Sequence, residues 1–302
     1  MAQMTQRVID YSKNTRSDKT KNTREIKTYY DETWLDYRLA WLNSTNRAIH
    51  IGYWDADTHS HAQSLLNMNR ALAEAIGIQA GMRVLDAGCG VGGSAIWLAE
   101  TYGVEVTGIT LVESQLERAK RYAAERNVAH KVRFHLADFT ATPFPAGTFD
   151  AVWAIESVCH STEKQRFAHE ARRVLRPGGR LGMAEYIRTG RPFDPADEAL
   201  LMSWLNGWAV PDIWTSGEWT TGLESAGFTD IQIENVNAHV RPSLRRLYAM
   251  AVAAWPIGMA MTTLRLRSPV MQGNQRAARE QYRALRRGLW FYSLTTASVE
   301  VD

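Results

Sequence analysis

Between Met82 and Ile187, five short apolar runs alternate with amphipathic stretches. This alternation constrains the fold more than any other feature of the chain. The runs are RVLDAG, EVTGIT, VRFHLAD, FDAVWAIE and GRLGMAEYI. Between several of them lie SAIWLAETYG, LVESQLERAKRYAAERN and TEKQRFAHEARRVL. In the last of these Phe167, Ala171, Val174 and Leu175 share a face at helical spacing, and RPGG at 176–179 stops the helix. Apolar strands in rhythm with amphipathic helices predict a parallel sheet with helices on both faces. Residues 188–228 break the rhythm with Trp204, Trp208, Trp214 and Trp219. Most of these are expected in packing, with one or two left to line a pocket. TDIQIENV reads as a strand, about 241–288 as a long helical segment interrupted near Pro256 and Pro269, and LWFYSLTTASV as a closing strand. Upstream, residues 1–28 are polar and read as a flexible or lightly docked arm. Residues 29–80 carry Tyr29, Tyr30, Trp34, Tyr37, Trp41, Tyr53 and Trp54, then the helical AQSLLNMNRALAEAIGI. The expected division is therefore an arm (1–28), a helical N-terminal lid (29–80), a core (81–187), and an inserted lid with the rest of the core (188–302).

With 302 residues, 45% hydrophobic and 22% charged, the chain has ordinary globular composition. A net charge of +3 gives no electrostatic footprint for nucleic acid, and RALRRG reads as a solvated helix face. Cys89 and Cys159 form neither a disulfide framework nor a zinc spacing, which fits a reducing, cytoplasmic setting. The first residues lack the apolar core of a signal peptide, so the sequon Asn43-Ser44-Thr45 reads as chance. LYAMAVAAWPIGMAMTTL, interrupted by Pro256 and Gly258, is shorter than a membrane span and reads as a buried or lid helix.

The first strand runs into VLDAGCGVGGSA, where Gly88, Gly90 and Gly93 satisfy a dinucleotide-type spacing. The acids around it argue against a dinucleotide. Ligands of an open parallel sheet sit beyond the carboxyl ends of the strands, so Asp86 lies near the site. Its carboxylate would repel a pyrophosphate and favour a ligand with an ammonium group. The second strand ends on Thr110 where a dinucleotide site wants an acid, and Glu113 is too far into the next helix. Asp138, directly after the third strand, could accept from an exocyclic amine such as adenine N6, or form a strand-end turn or cap.

Together LDAGCGVGGSA, GIT, LADF, FDAVWAIESVCH and RVLRPGGRL resemble the seven-stranded S-adenosylmethionine-dependent methyltransferases, over about residues 60–235. The resemblance implies an α/β, Rossmann-like sheet of seven strands, mostly parallel with the last antiparallel, and S-adenosylmethionine as cofactor. It places Asp86, Gly88, Cys89 and Gly90 at the methionine end, Thr110 and Gln115 at the ribose, and Asp138 and Phe139 at the adenine. A narrower likeness is carried by YYDETWLDYRLAW, HIGYW and AIESVCHSTEK, which resemble segments of sterol and tocopherol C-methyltransferases. It implies C-methylation of a lipophilic isoprenoid. An alkene that accepts a methyl group becomes a cation, which aromatic faces and a carboxylate stabilise. Glu156 is the first choice for the charge-stabilising or basic carboxylate, with His160 orienting it or sharing the role. Tyr29, Tyr30 and Trp54 would supply aromatic walls. The plainer alternative is that Glu156 serves a backbone amide or holds the lid. Arg38, Arg47 or Arg191 could meet a diphosphate, and no carboxylate cluster points to a metal. N- or O-methylation of a small amine or phenol, and a non-catalytic nucleoside-binding module, remain the rival readings. The expected partner is a small hydrophobic acceptor, with peripheral membrane contact and self-association left open.

Overall fold

A computed structural model describes residues 16–40 and 46–301; the sequon at 43–45 and Trp41 lie outside them. The chain runs α1 (Arg16–Ala40), α2 (His61–Ala75), β1 (Arg83–Ala87), α3 (Gly93–Tyr102), β2 (Glu105–Thr110), α4 (Glu113–Glu125), β3 (Val132–Leu136) and β4 (Phe149–Ile155). It continues with α5 (Lys164–Val174), β5 (Leu175–Arg188), α6 (Pro195–Gly207), α7 (Ser216–Ser225), β6 (Thr229–Asn235), α8 (Asn237–Ala253), α9 (Trp255–Thr263), α10 (Pro269–Arg286) and β7 (Trp290–Ser298).

The seven strands form one sheet in the order β3-β2-β1-β4-β5-β7-β6. β1 pairs in parallel with both β2 and β4, whereas β7 runs antiparallel between β5 and β6. The mostly parallel sheet with an antiparallel last strand is therefore as expected. Strand alternation divides the core between the two faces. Val84 joins α2, α3, α6 and α10 on one side, while Leu85 and Ala87 join α5 and α7 on the other. The order reverses between β1 and β4, and the carboxyl ends of these two strands open the crevice in which such sheets hold ligands.

Two expectations are corrected. The arm does not end at 28: α1 is continuous from Arg16 to Ala40, and Ile26 and Tyr29 on it are buried. A polar helix can still dock through one apolar stripe, which overall composition conceals. Of the two readings for the apolar stretch around Pro256, a buried helix or a lid helix, the buried one fails, since Ile257 is 66% and Leu264 68% exposed. Composition reported its apolarity but not its direction. No helix among the described residues is long and apolar enough to cross a membrane.

Candidate active site

β1 delivers Asp86 into the crevice and then turns sharply at Gly88, whose φ is +95°. A side chain at Gly88 would place its Cβ 2.3 Å from the Ser157 Cβ. Ser157 in turn donates from Oγ to the Ala87 carbonyl at 2.6 Å, stitching the end of β4 onto the glycine turn. At Gly90, φ is +52° and a Cβ would meet nothing within 4 Å, so the backbone there faces open cavity.

The crevice opens into a first cavity lined from both sides of this turn. All eight residues expected around a cofactor line it. Asp86 is buried, its Oδ2 has no hydrogen-bond donor among the described residues, and burial lifts its carboxyl to about 7. A buried, unpartnered carboxylate oxygen calls for a cationic donor. Thr110 Oγ1 donates to Gln115 Oε1 at 2.8 Å, and both residues line the cavity. Asp138 Oδ1 accepts from the N–H and Oγ1 of Thr140 at 2.8 and 2.7 Å, so the strand-end turn coexists with its place in the lining. Phe139 stands edge-on to Phe167, with ring centroids 5.4 Å apart. A carboxylate, polar groups and an aromatic face suit a ligand with an ammonium group, a sugar and a base.

A second cavity adjoins the first, and Tyr30, Ile49, His50, Glu156 and His160 line both. The rest of the second wall is mainly apolar, including Ile51, Trp208, Val210, Leu247, Met250 and Ala251. Glu156 closes β4 in the left-handed region, with φ at +47°, a conformation that costs a non-glycine residue about 1–2 kcal/mol. Its Oε1 accepts the Ile51 N–H at 2.6 Å and the Tyr292 hydroxyl at 2.8 Å, and its Oε2 accepts the Tyr186 hydroxyl. It therefore holds the lid segment, as the plainer alternative had it, while also facing both cavities. Burial raises its carboxyl to about 7 against the lowering effect of those three donors, with Glu185 adding repulsion.

His160 is buried at the end of a short 3-10 turn, Val158–His160. Nδ1 lies 3.1 Å from the Ala209 carbonyl, which can only accept, so Nδ1 carries the proton and Nε2 accepts from the Tyr30 hydroxyl at 3.0 Å. Burial lowers the imidazole to about 4. The arm helix joins here too, for Asn22 donates to the His160 carbonyl at 3.0 Å.

Trp54 is not at the site. Its Nε1 donates to Ser243 Oγ at 2.8 Å and it lines neither cavity; proximity to the motif HIGYW does not fix where a side chain points. Of the four tryptophans, Trp208 lines the second cavity, and the other three are buried in packing. Arg38 is exposed, Arg191 pairs with Asp212 and Glu218, and Arg47 pairs with Glu125 and lies over the Tyr122 ring.

Several groups at the site were missed. His50, Tyr186 and Tyr292 contact Glu156 or line its cavities; Tyr186 and Tyr292 face each other across the β5–β7 register. Two-residue alternation in AEYI and WFYS was the available signal. Glu185 is buried beneath the turn that carries His160. Its Oε1 accepts from the N–H groups of Ser157, Val158 and Cys159 at 2.9, 2.7 and 3.2 Å. Glu185→Ala would strand these three donors and is expected to cost about 3 kcal/mol or more, read by chemical denaturation, whereas Glu185→Gln keeps an acceptor and loses less.

A family model described as a methyltransferase domain matches residues 84–179. The 27-O-demethylrifamycin SV methyltransferase of Amycolatopsis mediterranei is 35% identical over 195 residues, 65% of this chain and 71% of that relative. The chain belongs to the class I S-adenosylmethionine-dependent methyltransferases. A sterol 24-C-methyltransferase of Gibberella zeae is 36% identical over 58% of this methyltransferase and 45% of its own length. Among solved structures, that of the cyclase SpnF aligns with a TM-score of 0.76 and 27% identity, covering 93% of this chain and 97% of that one. The cofactor is S-adenosylmethionine, and the chemistry of the first cavity fits it.

Proposed function

We propose that this methyltransferase transfers a methyl group to an alkene carbon of an uncharged, lipophilic isoprenoid held in the second cavity. One observation carries the reading: Glu156, with its three donors, stands where the cofactor cavity meets an apolar, aromatic-walled one. The cofactor supplies an electrophilic methyl group there. In the first cavity Asp86 would take the ammonium group, with Gly88, Cys89 and Gly90 around the methionine end. Thr110 and Gln115 would meet the ribose, and Asp138 and Phe139 the adenine.

The acceptor's π pair would form the new carbon–carbon bond as the methyl–sulfur bond breaks, its electrons staying on sulfur so that the neutral thioether S-adenosylhomocysteine leaves, and the positive charge passes to the neighbouring acceptor carbon. Glu156 offsets that charge, and the rings of Tyr30, Tyr37 and Tyr186 face the same space. Loss of a proton from the adjacent carbon restores an alkene. That proton passes to the Tyr30 hydroxyl as Tyr30 hands its own to His160 Nε2. The base role moves from Glu156 to this pair because the Glu156 oxygens already accept three hydrogen bonds. A histidine held near 4 is a weak base. It is sufficient for a carbocation, whose neighbouring proton is strongly acidic, and poor for a phenol with pKa about 10. This favours carbon over oxygen, although the relatives' names include both an O- and a C-methyltransferase. Apolar lining, with the Arg267 at its wall already paired to Asp36 at 2.9 Å, supports an uncharged acceptor rather than a diphosphate.

The test is a head-group series at fixed chain length, comprising linear terpene hydrocarbons, alcohols, diphosphates and prenylated phenols, with labelled methyl counted in products. Uncharged alkenes are expected to lead. Preference for the diphosphates would overturn the reading.

A pH dependence follows. Asp86 and Glu156 are both raised to about 7 and must each lose a proton to face a cation. Below pH 7 binding therefore has to displace protons, so S-adenosylmethionine is expected to bind more tightly at pH 8 than at pH 6, by about tenfold for each carboxyl involved. S-adenosylhomocysteine has the same amino group without the sulfonium charge, so the difference between the two calorimetric pH profiles isolates Glu156.

A further inference from the structure

Seven of the nine large apolar side chains exposed among the described residues crowd into 250–266. Met250 and Val252 end α8, Ile257, Met259 and Met261 lie on α9, and Leu264 and Leu266 follow it. Helix α9 is seated along one stripe only. A Cβ at Gly258 would come within 2.1 Å of Gln275 Oε1 on α10, Trp255 lies under the Arg279 guanidinium at 4.2 Å, and Thr262 is half-buried. These positions recur at helical spacing, and the remainder of α9 faces outward. A helix apolar nearly all round and held along one edge is not finished by solvent.

The charge along this segment of chain is one-sided, with Asp36 of α1 reaching it only to pair with Arg267. From Asn235 to Arg279 the sequence has seven arginines and no aspartate or glutamate. Arg241, Arg245 and Arg265 are exposed, and Arg245 shares a face of α8 with the exposed Val252. In Leu264-Arg265-Leu266 an exposed arginine stands between two exposed leucines at the end of the patch, while Arg267 beyond them is paired to Asp36. Apolar wedges flanked by arginines match the boundary between acyl chains and anionic headgroups. A protein groove would instead call for a narrow apolar stripe with polar flanks.

We propose that the end of α8, α9 and the following loop form a docking surface for an anionic lipid bilayer. Met250 and Ala254, exposed at this surface, also line the second cavity, so docking sets that cavity against the acyl layer. The use of this route by the acceptor rests on the function proposed above; bilayer binding does not.

The full-length protein is tested by flotation with vesicles of phosphatidylcholine alone and with about one-third phosphatidylglycerol, at about 0.1 M and about 1 M salt. The second protein is the double variant Leu264→Asp, Leu266→Asp, which alters only exposed positions. Partition onto anionic vesicles is expected to exceed that onto neutral ones by about tenfold or more, to fall in high salt, and to fall about tenfold in the variant. Binding of S-adenosylhomocysteine within about twofold of the parent shows the variant is folded. Equal partition onto both vesicle types, or a variant that partitions like the parent, overturns the proposal. So does a parent that floats with neither and instead forms a dimer by light scattering that the variant breaks, since the surface then serves a second copy of this chain.

Discussion

Glu156→Gln is expected to slow methyl transfer by about 10²–10³-fold while changing S-adenosylhomocysteine affinity by no more than about threefold. The amide has nearly the volume of the acid. It keeps one carbonyl oxygen to accept from the Ile51 N–H and the Tyr292 hydroxyl, and Tyr186 can turn its hydroxyl to accept from the new NH₂. Geometry is retained and the charge is lost. Folding should be nearly unaffected, because a carboxyl that burial lifts to about 7 is already close to its neutral form without ligand. Single-turnover rates separate the effect from binding, and a rate within about threefold of the parent would remove Glu156 from the chemistry.

Gly88→Ala should act on the other half of the reaction, with cofactor affinity falling by about 100-fold or more. Two costs coincide at this residue. A φ of +95° is hostile to any side chain, and the added Cβ would lie 2.3 Å from the Ser157 Cβ. Relief requires moving either the glycine turn or the end of β4, which the Ser157–Ala87 hydrogen bond ties together. A control separates strain from clash. Gly81 has φ +84° but nothing within 4 Å of a Cβ and lies away from both cavities, so Gly81→Ala should cost stability of about 1–2 kcal/mol and leave affinity intact. Calorimetry on both variants, with melting temperatures, tests the pair. Equal affinity losses would mean that left-handed strain anywhere in the fold, and not the contact of Gly88 with Ser157, governs binding.

These residues show why one half of the site was legible in the sequence and the other was not. Asp86, Gly88, Gly90, Thr110 and Asp138 sit at strand ends and tight turns, where local chemistry and the sheet rule fix their position together. Glu156 could be placed by the same rule. What surrounds Glu156 comes from Ile51, Tyr186 and Tyr292, remote in sequence and joined only by sheet register and lid docking. Glu185 was hidden for the same reason: a lone acid in an apolar strand gives no sign that three amides of a distant turn converge on it. Trp54 was misread, and for α9 the buried alternative of its two readings fails. A motif neighbour turned out to pack on Ser243, and an apolar helix turned out to face outward. In both, residue type was readable and direction depended on tertiary packing.

The central claim is that a cation forms on carbon beside Glu156. Its most direct test is the position of the new methyl group. The parent enzyme and Glu156→Gln are incubated with methyl-labelled S-adenosylmethionine and an acceptor bearing both an isolated alkene and a phenolic hydroxyl, and the labelled product is read by NMR. The account predicts a new C–CH₃ group at the alkene with the double bond shifted, largely lost in the variant. A label found on oxygen at equal rates in both proteins would contradict it.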